Sequence, residues 1–113
     1  MTHNKKATRY YSSRQEKAVA KALSGKVVAN SGAPAFVAGD VRTEDWLIEC
    51  KTCTTQKKSF SIKLDWLIKN REEAFAMNKP YNALAFDFGT GNNYYIVDEK
   101  TFIQMKEALE VWQ

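Results

Sequence analysis

The sequence predicts an α/β fold, a central mixed β-sheet flanked by helices, with elements in the order α-β-β-β-α-β-β-α. Three observations lead there. Apolar residues recur at helical spacing near both ends and in the middle of the chain, with short extended runs between them. The run Trp46-Leu-Ile-Glu-Cys-Lys-Thr52 is apolar enough to be a central strand, covered on both faces. The 113 residues are 44% hydrophobic with 5 Gly and 2 Pro, enough for one core and unlike collagen-like or long low-complexity chains.

Each element has its own warrant. Met1 to Tyr11 is polar and basic, without the apolar stretch of a secretory signal, and is expected to be a flexible basic arm ahead of a single domain at residues 12–113. Ser13-Arg-Gln-Glu16 fits a capping box, with serine at the N-cap and glutamate three residues on. A first helix is therefore expected at 13–24, with Ala18, Val19, Ala22 and Leu23 as its apolar stripe and Gly25 as its stop. Lys26–Ala29 is a short strand candidate, Asn30-Ser-Gly-Ala-Pro34 has turn chemistry, and Phe36–Val41 is a second strand. Arg42–Asp45 is a polar turn into the third strand, Trp46–Thr52.

A polar, basic loop follows at 54–59. A helix at 62–77 is expected to carry Leu64, Leu67, Ile68, Ala74 and Phe75 on or near its buried face and to end at Asn78-Lys-Pro80. Ala83–Phe88, the turn Gly89-Thr-Gly-Asn-Asn93 and Tyr94–Val97 read as a hairpin. Asp98 can cap a last helix at 99–111, with Phe102, Met105, Leu109 and Trp112 at helical spacing. No stretch approaches the roughly 20 apolar residues of a membrane span. The expected setting is intracellular: cytoplasmic, or a host's cytoplasm for a viral protein.

The net charge of +4 is unevenly spread. Residues 1–71 hold 14 Lys and Arg against 6 Asp and Glu, whereas residues 72–113 hold 3 against 7. That polarity favours a polyanionic partner, with Lys5, Lys6, Arg9, Arg14, Lys57, Lys58 and Lys63 as candidate phosphate contacts. The alternative is a solvated basic surface. The 2 cysteines, Cys50 and Cys53, form a Cys-x-x-Cys pair, and the 1 histidine is His3. A structural zinc site needs about four ligands, so these are expected to be reduced, buried thiols.

The chemistry concentrates in Asp40 and Glu49-Cys50-Lys51. Side chains alternate along a strand, so Glu49 and Lys51 share one face and Cys50 takes the other. If Arg42–Asp45 closes a hairpin, Asp40 comes near Glu49. Charges amid an apolar strand are costly unless paired or holding a metal. Oxygen donors of this kind suit Mg²⁺ or Mn²⁺, with Asp40, Glu49 and the Cys50 carbonyl as protein ligands. Lys51 adds a point charge for a phosphate or an attacking water. A same-face ion pair of Glu49 with Lys51, and a plain turn role for Asp40, remain the structural alternatives. Glu16 is fully explained as a cap residue unless it joins the site, and Ser31 as part of its turn. Glu72, Glu73 and Asp87 read as surface charges.

Asp40 and Glu49-Cys50-Lys51 resemble the core of the PD-(D/E)-x-K nuclease superfamily. A helix with Glu16 precedes them, Ser31-Gly32 sits in the turn before the aspartate, and a basic-start helix follows. Over residues 12 to 88 that layout is similar to archaeal-type Holliday junction resolvases and related phage endonucleases of DNA recombination. The resemblance implies a restriction-endonuclease-like core and a Mg²⁺-dependent DNA endonuclease, with Mn²⁺ as a substitute, leaving a 5′-phosphate after one-step water attack. Asp40 and Glu49 match the metal carboxylates and Lys51 the catalytic lysine. Glu16 matches the first-helix acid that helps complete the metal site, often through water, and Ser31 a serine near site and substrate. Gly39 stands where the motif has proline.

The preferred partner is branched DNA such as a four-way junction. Two incisions need two active sites, so a homodimer is expected. The alternatives are a duplex-cutting, restriction-like or phage DNA-processing nuclease, and a non-catalytic DNA-binding module on the same fold. No Walker-type phosphate loop is present, so no nucleotide cofactor is expected.

Overall fold

The structure, a computed structural model, describes residues 5–28 and 40–112, and the side chains of all of these except 5–10 and 12. Three helices and five strands follow the expected order: α1 (Lys5–Leu23), β1 (Lys26–Val27), β2 (Asp40–Arg42), β3 (Trp46–Thr52), α2 (Leu64–Ala76), β4 (Tyr81–Asp87), β5 (Asn93–Ile96) and α3 (Glu99–Val111). The strands form one mixed sheet in chain order, β1-β2-β3-β4-β5. Only β3 and β4 run parallel, and α2 is the crossover that a parallel pair requires. Among the described residues no helix is long and apolar enough to cross a membrane. The predicted Asn30–Pro34 turn, Ser31, Gly32 and the Phe36–Gly39 part of the second strand lie outside the described residues.

The largest departure is at the N-terminus. α1 begins at Lys5, so residues 5–11 are helical in backbone and Ser13 is an interior residue rather than an N-cap. Lys, Ala and Arg are good helix formers, and Lys5–Leu23 contains neither Gly nor Pro. A capping preference worth about 1 kcal/mol does not interrupt such a run. The helix ends as a Schellman motif: Gly25 N–H donates to Ala20 O and Ser24 N–H to Lys21 O. Ser24 takes the left-handed conformation there, with φ of 56°. Gly25 serves a different need, since a Cβ on it would stand 2.6 Å from the Arg42 carbonyl oxygen. α2 ends in the same way at Asn78, with φ of 57°, and Lys79 N–H donating to Ala74 O.

Two layers of side chains cover the sheet. On the α1 face Val19 packs with Val41, Ile48, Cys50, Ala83 and Ala85. On the α2 face Leu47, Leu84 and Phe86 are buried. Of the residues expected on or near the buried face of α2, Ala74 is buried and Leu67 and Ile68 are half-buried, but Phe75 is 86% exposed and Leu64 67%. The other buried position of the helix is Asn70. Asn70 is 1% exposed and donates to Leu47 O while accepting from Asn82 Nδ2 at 2.8 Å. α3 is capped by Asp98, which accepts from Thr101 N–H at 2.8 Å and is held below the usual carboxylate range by that bond. Its apolar residues Phe102, Met105, Leu109 and Trp112 are all exposed.

Asn70→Ala removes the donor to Leu47 O and the acceptor for Asn82 in a dry joint. We expect a loss of about 1–3 kcal/mol in urea unfolding, the cost of leaving buried partners unpaired. A wild-type midpoint would show that the joint carries no such constraint.

Candidate active site

The β2–β3 hairpin sets the site. Its turn is short: Thr43 N–H donates to Trp46 O, and Trp46 N–H donates to Thr43 Oγ1, both at 3.0 Å. Counting back along the ladder, Arg42 lies opposite Leu47, Val41 opposite Ile48 and Asp40 opposite Glu49. Asp40 O accepts from Val28 N–H, so its backbone polar groups face β1. Asp40 and Glu49 are therefore a non-hydrogen-bonded antiparallel pair, the closer kind, with Cα atoms about 4.5 Å apart. By the same alternation the Cys50 carbonyl points toward the β2 side of β3. The anticipated hairpin thus brings Asp40, Glu49 and the Cys50 carbonyl to one place.

Lys51 joins them on the α2 face. Its Nζ lies 3.6 Å from Glu49 Oε1 and 4.6 Å from the centre of the Trp66 ring. Trp66 is held in turn by a run of rings. It stacks on Phe60 at 6.1 Å, Phe60 meets Phe86 at 4.8 Å, and Phe86 meets Phe88 at 4.7 Å. Sequence reading misses Trp66 as a neighbour of the site because the contact joins a loop, a helix and a strand distant in the chain.

Carboxylate chemistry here is dominated by burial. Glu49 is 8% exposed, and its Oε2 has no hydrogen-bond partner among the described residues. Burial pushes its carboxyl up, against the pull of Lys51 and Lys69. Asp40 is pushed up to about 7, first by burial and then by the negative charges of Glu73 and Glu49. Glu73, expected as a surface charge, is half-exposed and pairs with Lys69 at 3.6 Å on α2. Its charge acts on Asp40 because α2 packs on the same face of the sheet, a packing fact that no local pattern encodes.

Glu16 is not a capping residue, since it lies mid-helix. It is 7% exposed, with Oε1 unpartnered among the described residues, and burial raises its carboxyl against the opposing charge of Lys17. It stands on the α1 face. The Cys50 thiol, on the same α1 face as Glu16, is pushed up by burial and then by the charges of Glu16, Asp40 and Glu49. The neighbouring Gln15 ties α1 to the sheet ends, its Nε2 donating to Lys51 O at 2.8 Å, Ala85 O and Asn93 Oδ1. Cys50 and Cys53 are both free and buried, as expected.

The basic residues divide. Lys63 ends the loop into α2, its Nζ 5.7 Å from the Trp66 ring, and Lys57 lies 5.9 Å from the Phe60 ring. Lys58 is exposed on the same loop. Arg14 lines a cavity of about 210 Å³ with Thr52, Cys53 and Asp87, at the carboxyl end of β3. Lys5, Lys6 and Arg9 lie on the first turns of α1, and their side chains are outside the described residues.

Two facing carboxylates, one with a buried unpartnered oxygen, and the Cys50 carbonyl are oxygen donors of the kind that could hold a hard divalent cation such as Mg²⁺ or Mn²⁺. Among the described residues no group of three or more His, Cys, Asp or Glu side chains is placed to hold a metal ion.

The raised carboxyls have a consequence for stability. Between the usual 3.8 and about 7, Asp40 holds a proton in the folded chain that it lacks in the unfolded one. Its contribution is full at the acid end of that window and is lost as pH rises through 7; the raised Glu16 and Glu49 act in the same direction. In EDTA the urea midpoint should fall from pH 5.5 to pH 8, and Asp40→Asn should flatten the change. A wild-type midpoint that does not fall would show that Asp40 ionises freely in the fold.

The chain matches no protein-family model, no curated protein and no solved structure, so its functional reading rests on this geometry.

Proposed function

We propose that the protein is a Mg²⁺-dependent DNA endonuclease with a restriction-endonuclease-like core, selective for branched DNA in the manner of a Holliday junction resolvase. The observation that carries the reading is the register pair Asp40–Glu49, with Lys51 two residues on and on the same face. A facing pair of carboxylates, Glu49 buried and Asp40 half-buried, with too little positive charge around it is a poor structural device. It destabilises the fold at neutral pH, and a divalent cation relieves it.

Asp40, Glu49 and the Cys50 carbonyl would hold the cation, and Mn²⁺ would substitute for Mg²⁺. When bound, the cation supplies Lewis-acid charge for phosphodiester hydrolysis. Lys51 Nζ, set between Glu49 and the Trp66 face, hydrogen-bonds the scissile phosphate and orients the attacking water. Attack on phosphorus releases the 3′ oxygen and leaves the 5′-phosphate. Glu16 approaches from the opposite face of β3, so its part is to hold water at the rim of the site. Ser31 keeps the role its resemblance implies, as a group near the substrate. Lys57, Lys58 and Lys63, interleaved with Phe60 and Trp66, make a basic and aromatic track beside Lys51 that suits a DNA strand.

Two incisions in a junction require two copies. We assign the contact to the exposed stripe of α3, where Phe102, Met105, Leu109 and Trp112 face outward. A cavity of about 450 Å³ beside it, lined by Leu23, Trp46, Ile48, Tyr95, Val97 and Met105 among others, extends that apolar surface. The competing reading, a DNA-binding module without catalysis, draws on the Glu49–Lys51 ion pair at 3.6 Å. It leaves the raised carboxyl of Asp40 without a use.

The test is cleavage of a labelled four-way junction and its matched duplex in Mg²⁺, with EDTA and Glu49→Gln controls. We expect paired nicks in the junction alone, lost in both controls. Equal cutting of both substrates would retain the nuclease and remove the selectivity. Binding without cutting would favour the non-catalytic module. Replacing Lys57, Lys58 and Lys63 by Ala together should flatten the salt dependence of binding, by about 0.9 in slope for each phosphate no longer neutralised. An unchanged slope would clear that loop of any part.

A further inference from the structure

We infer that the groove at Phe60 and Trp66 is a subsite for one unpaired nucleobase, which stacks on the two rings while the lysines beside them hold its flanking phosphates. The inference rests on the DNA-binding part of the function proposed above. It names the form of DNA the chain selects, a strand with a base out of the duplex.

The groove has a volume of about 520 Å³ and is lined by Ser59, Phe60, Ser61, Lys63 and Trp66. Its two rings lie nearly parallel, at 23° with centroids 6.1 Å apart. Phe60 is exposed and Trp66 half-buried. The platform is held in place from below. Phe60 packs at 4.8 Å on the buried Phe86 of β4. Its loop is tied to the end of the same strand, Cys53 N–H donating to Asp87 O at 3.0 Å and Lys57 N–H to Phe88 O at 2.9 Å. At Gly89 the loop backbone comes so close that a Cβ would stand 2.7 Å from Thr55 O. An exposed ring on an otherwise polar loop is thus positioned before any ligand arrives, which lowers the cost of ordering it on binding.

Charge selects the occupant. Residues 53–66 carry 3 Lys and 1 acid, Asp65. Lys57 Nζ lies 5.9 Å from the Phe60 ring, Lys63 Nζ 5.7 Å from the Trp66 ring, and Lys51 Nζ 4.6 Å from Trp66. Rings with ammonium groups beside them match a nucleotide, which offers a π-face and a phosphate together. A base inside a duplex has both faces covered by its neighbours, so the rings accept only a base that has left the stack. Lys51 and Lys63 both approach Trp66, so the stacked nucleotide lies beside the Glu49–Lys51 pair.

The experiment measures binding to the full chain in EDTA, where neither metal nor cleavage enters. The probes are a short oligothymidylate, a strand of equal length in which abasic sites replace the bases, and an oligoglutamate peptide. A 2-aminopurine placed in the oligothymidylate reports stacking by its loss of fluorescence. The variants are Phe60→Leu, which keeps apolar bulk against Phe86 without a π-face, Phe60→Tyr, and Phe75→Leu, an exposed ring at the other end of α2. We expect wild type to bind the base-bearing strand about 5–150-fold more tightly than the abasic one, the worth of one base–aromatic contact, and to quench 2-aminopurine. Phe60→Leu should lose most of that preference and of the quench while holding the abasic strand as wild type does. Phe60→Tyr should keep both, and Phe75→Leu should match wild type.

Equal wild-type affinity for the two strands would overturn the inference in favour of plain phosphate contacts and leave the endonuclease reading standing. A preference that survives in Phe60→Leu would overturn it by taking the ring out of the contact. Tighter binding of oligoglutamate than of DNA would overturn it in favour of an acidic protein segment. If Phe60→Leu does not fold, the wild-type ratio and quench decide. No binding of either strand would overturn the subsite and the DNA reading together. Base-selective binding by a chain that cuts no DNA in Mg²⁺ would uphold the subsite and sink only the endonuclease.

Discussion

The register of β2 against β3 is the constraint on which the site depends. A tight turn through Thr43 fixes which residue of β2 faces which residue of β3, and Asp40 falls opposite Glu49. Strand side chains have a period of two, so a slip by one residue would send Glu49 to the α1 face and Cys50 to the α2 face. The apolar residues enforce the same choice. Val41 and Ile48 are opposite each other, and both belong to the core under Val19. The turn and the core thus select a single register, and that register juxtaposes the two carboxylates.

The parallel β3–β4 pair supplies the second layer of control. Its crossover helix, α2, must lie over β3, where Asn70 docks it on the Leu47 carbonyl and Asn82. That docking brings Trp66 to Lys51, and it sets the charges of the Lys69–Glu73 pair to act on the carboxylates. A polar residue in the buried face of a helix usually weakens packing. Here its hydrogen bonds are met, and the helix cannot slide without leaving them unmet.

The site is held in tension by electrostatics. Burial raises the carboxyls of Glu16, Asp40 and Glu49 alike, although lysines stand close by. Lys51 is shared between Glu49 and the Trp66 face, which keeps its charge near the carboxylates without cancelling them. Stability given up at a cluster of like charges is common where function needs that cluster.

Local chemistry determined much of this protein from the sequence. The central strand Trp46–Thr52, the polar turn before it, the hairpin around Gly89–Asn93 and the Asp98 cap follow from alternation, turn residues and capping, which act over a few residues. Asp40, Glu49 and Lys51 were legible for the same reason, since a short hairpin makes their meeting a local event. Tertiary structure decided the rest. The start of α1 at Lys5 went against a capping signal, because helix continuity outweighed one cap. The buried line of α2 passed through Asn70 and left Phe75 outside, because partners on β3 and β4 satisfied the amide. Glu73, Trp66 and the buried Glu16 acquired their settings from elements far away in the chain. Hydrophobic and hydrogen-bonding patterns specify a strand or a turn from its own residues, whereas burial of a charge depends on what packs over it.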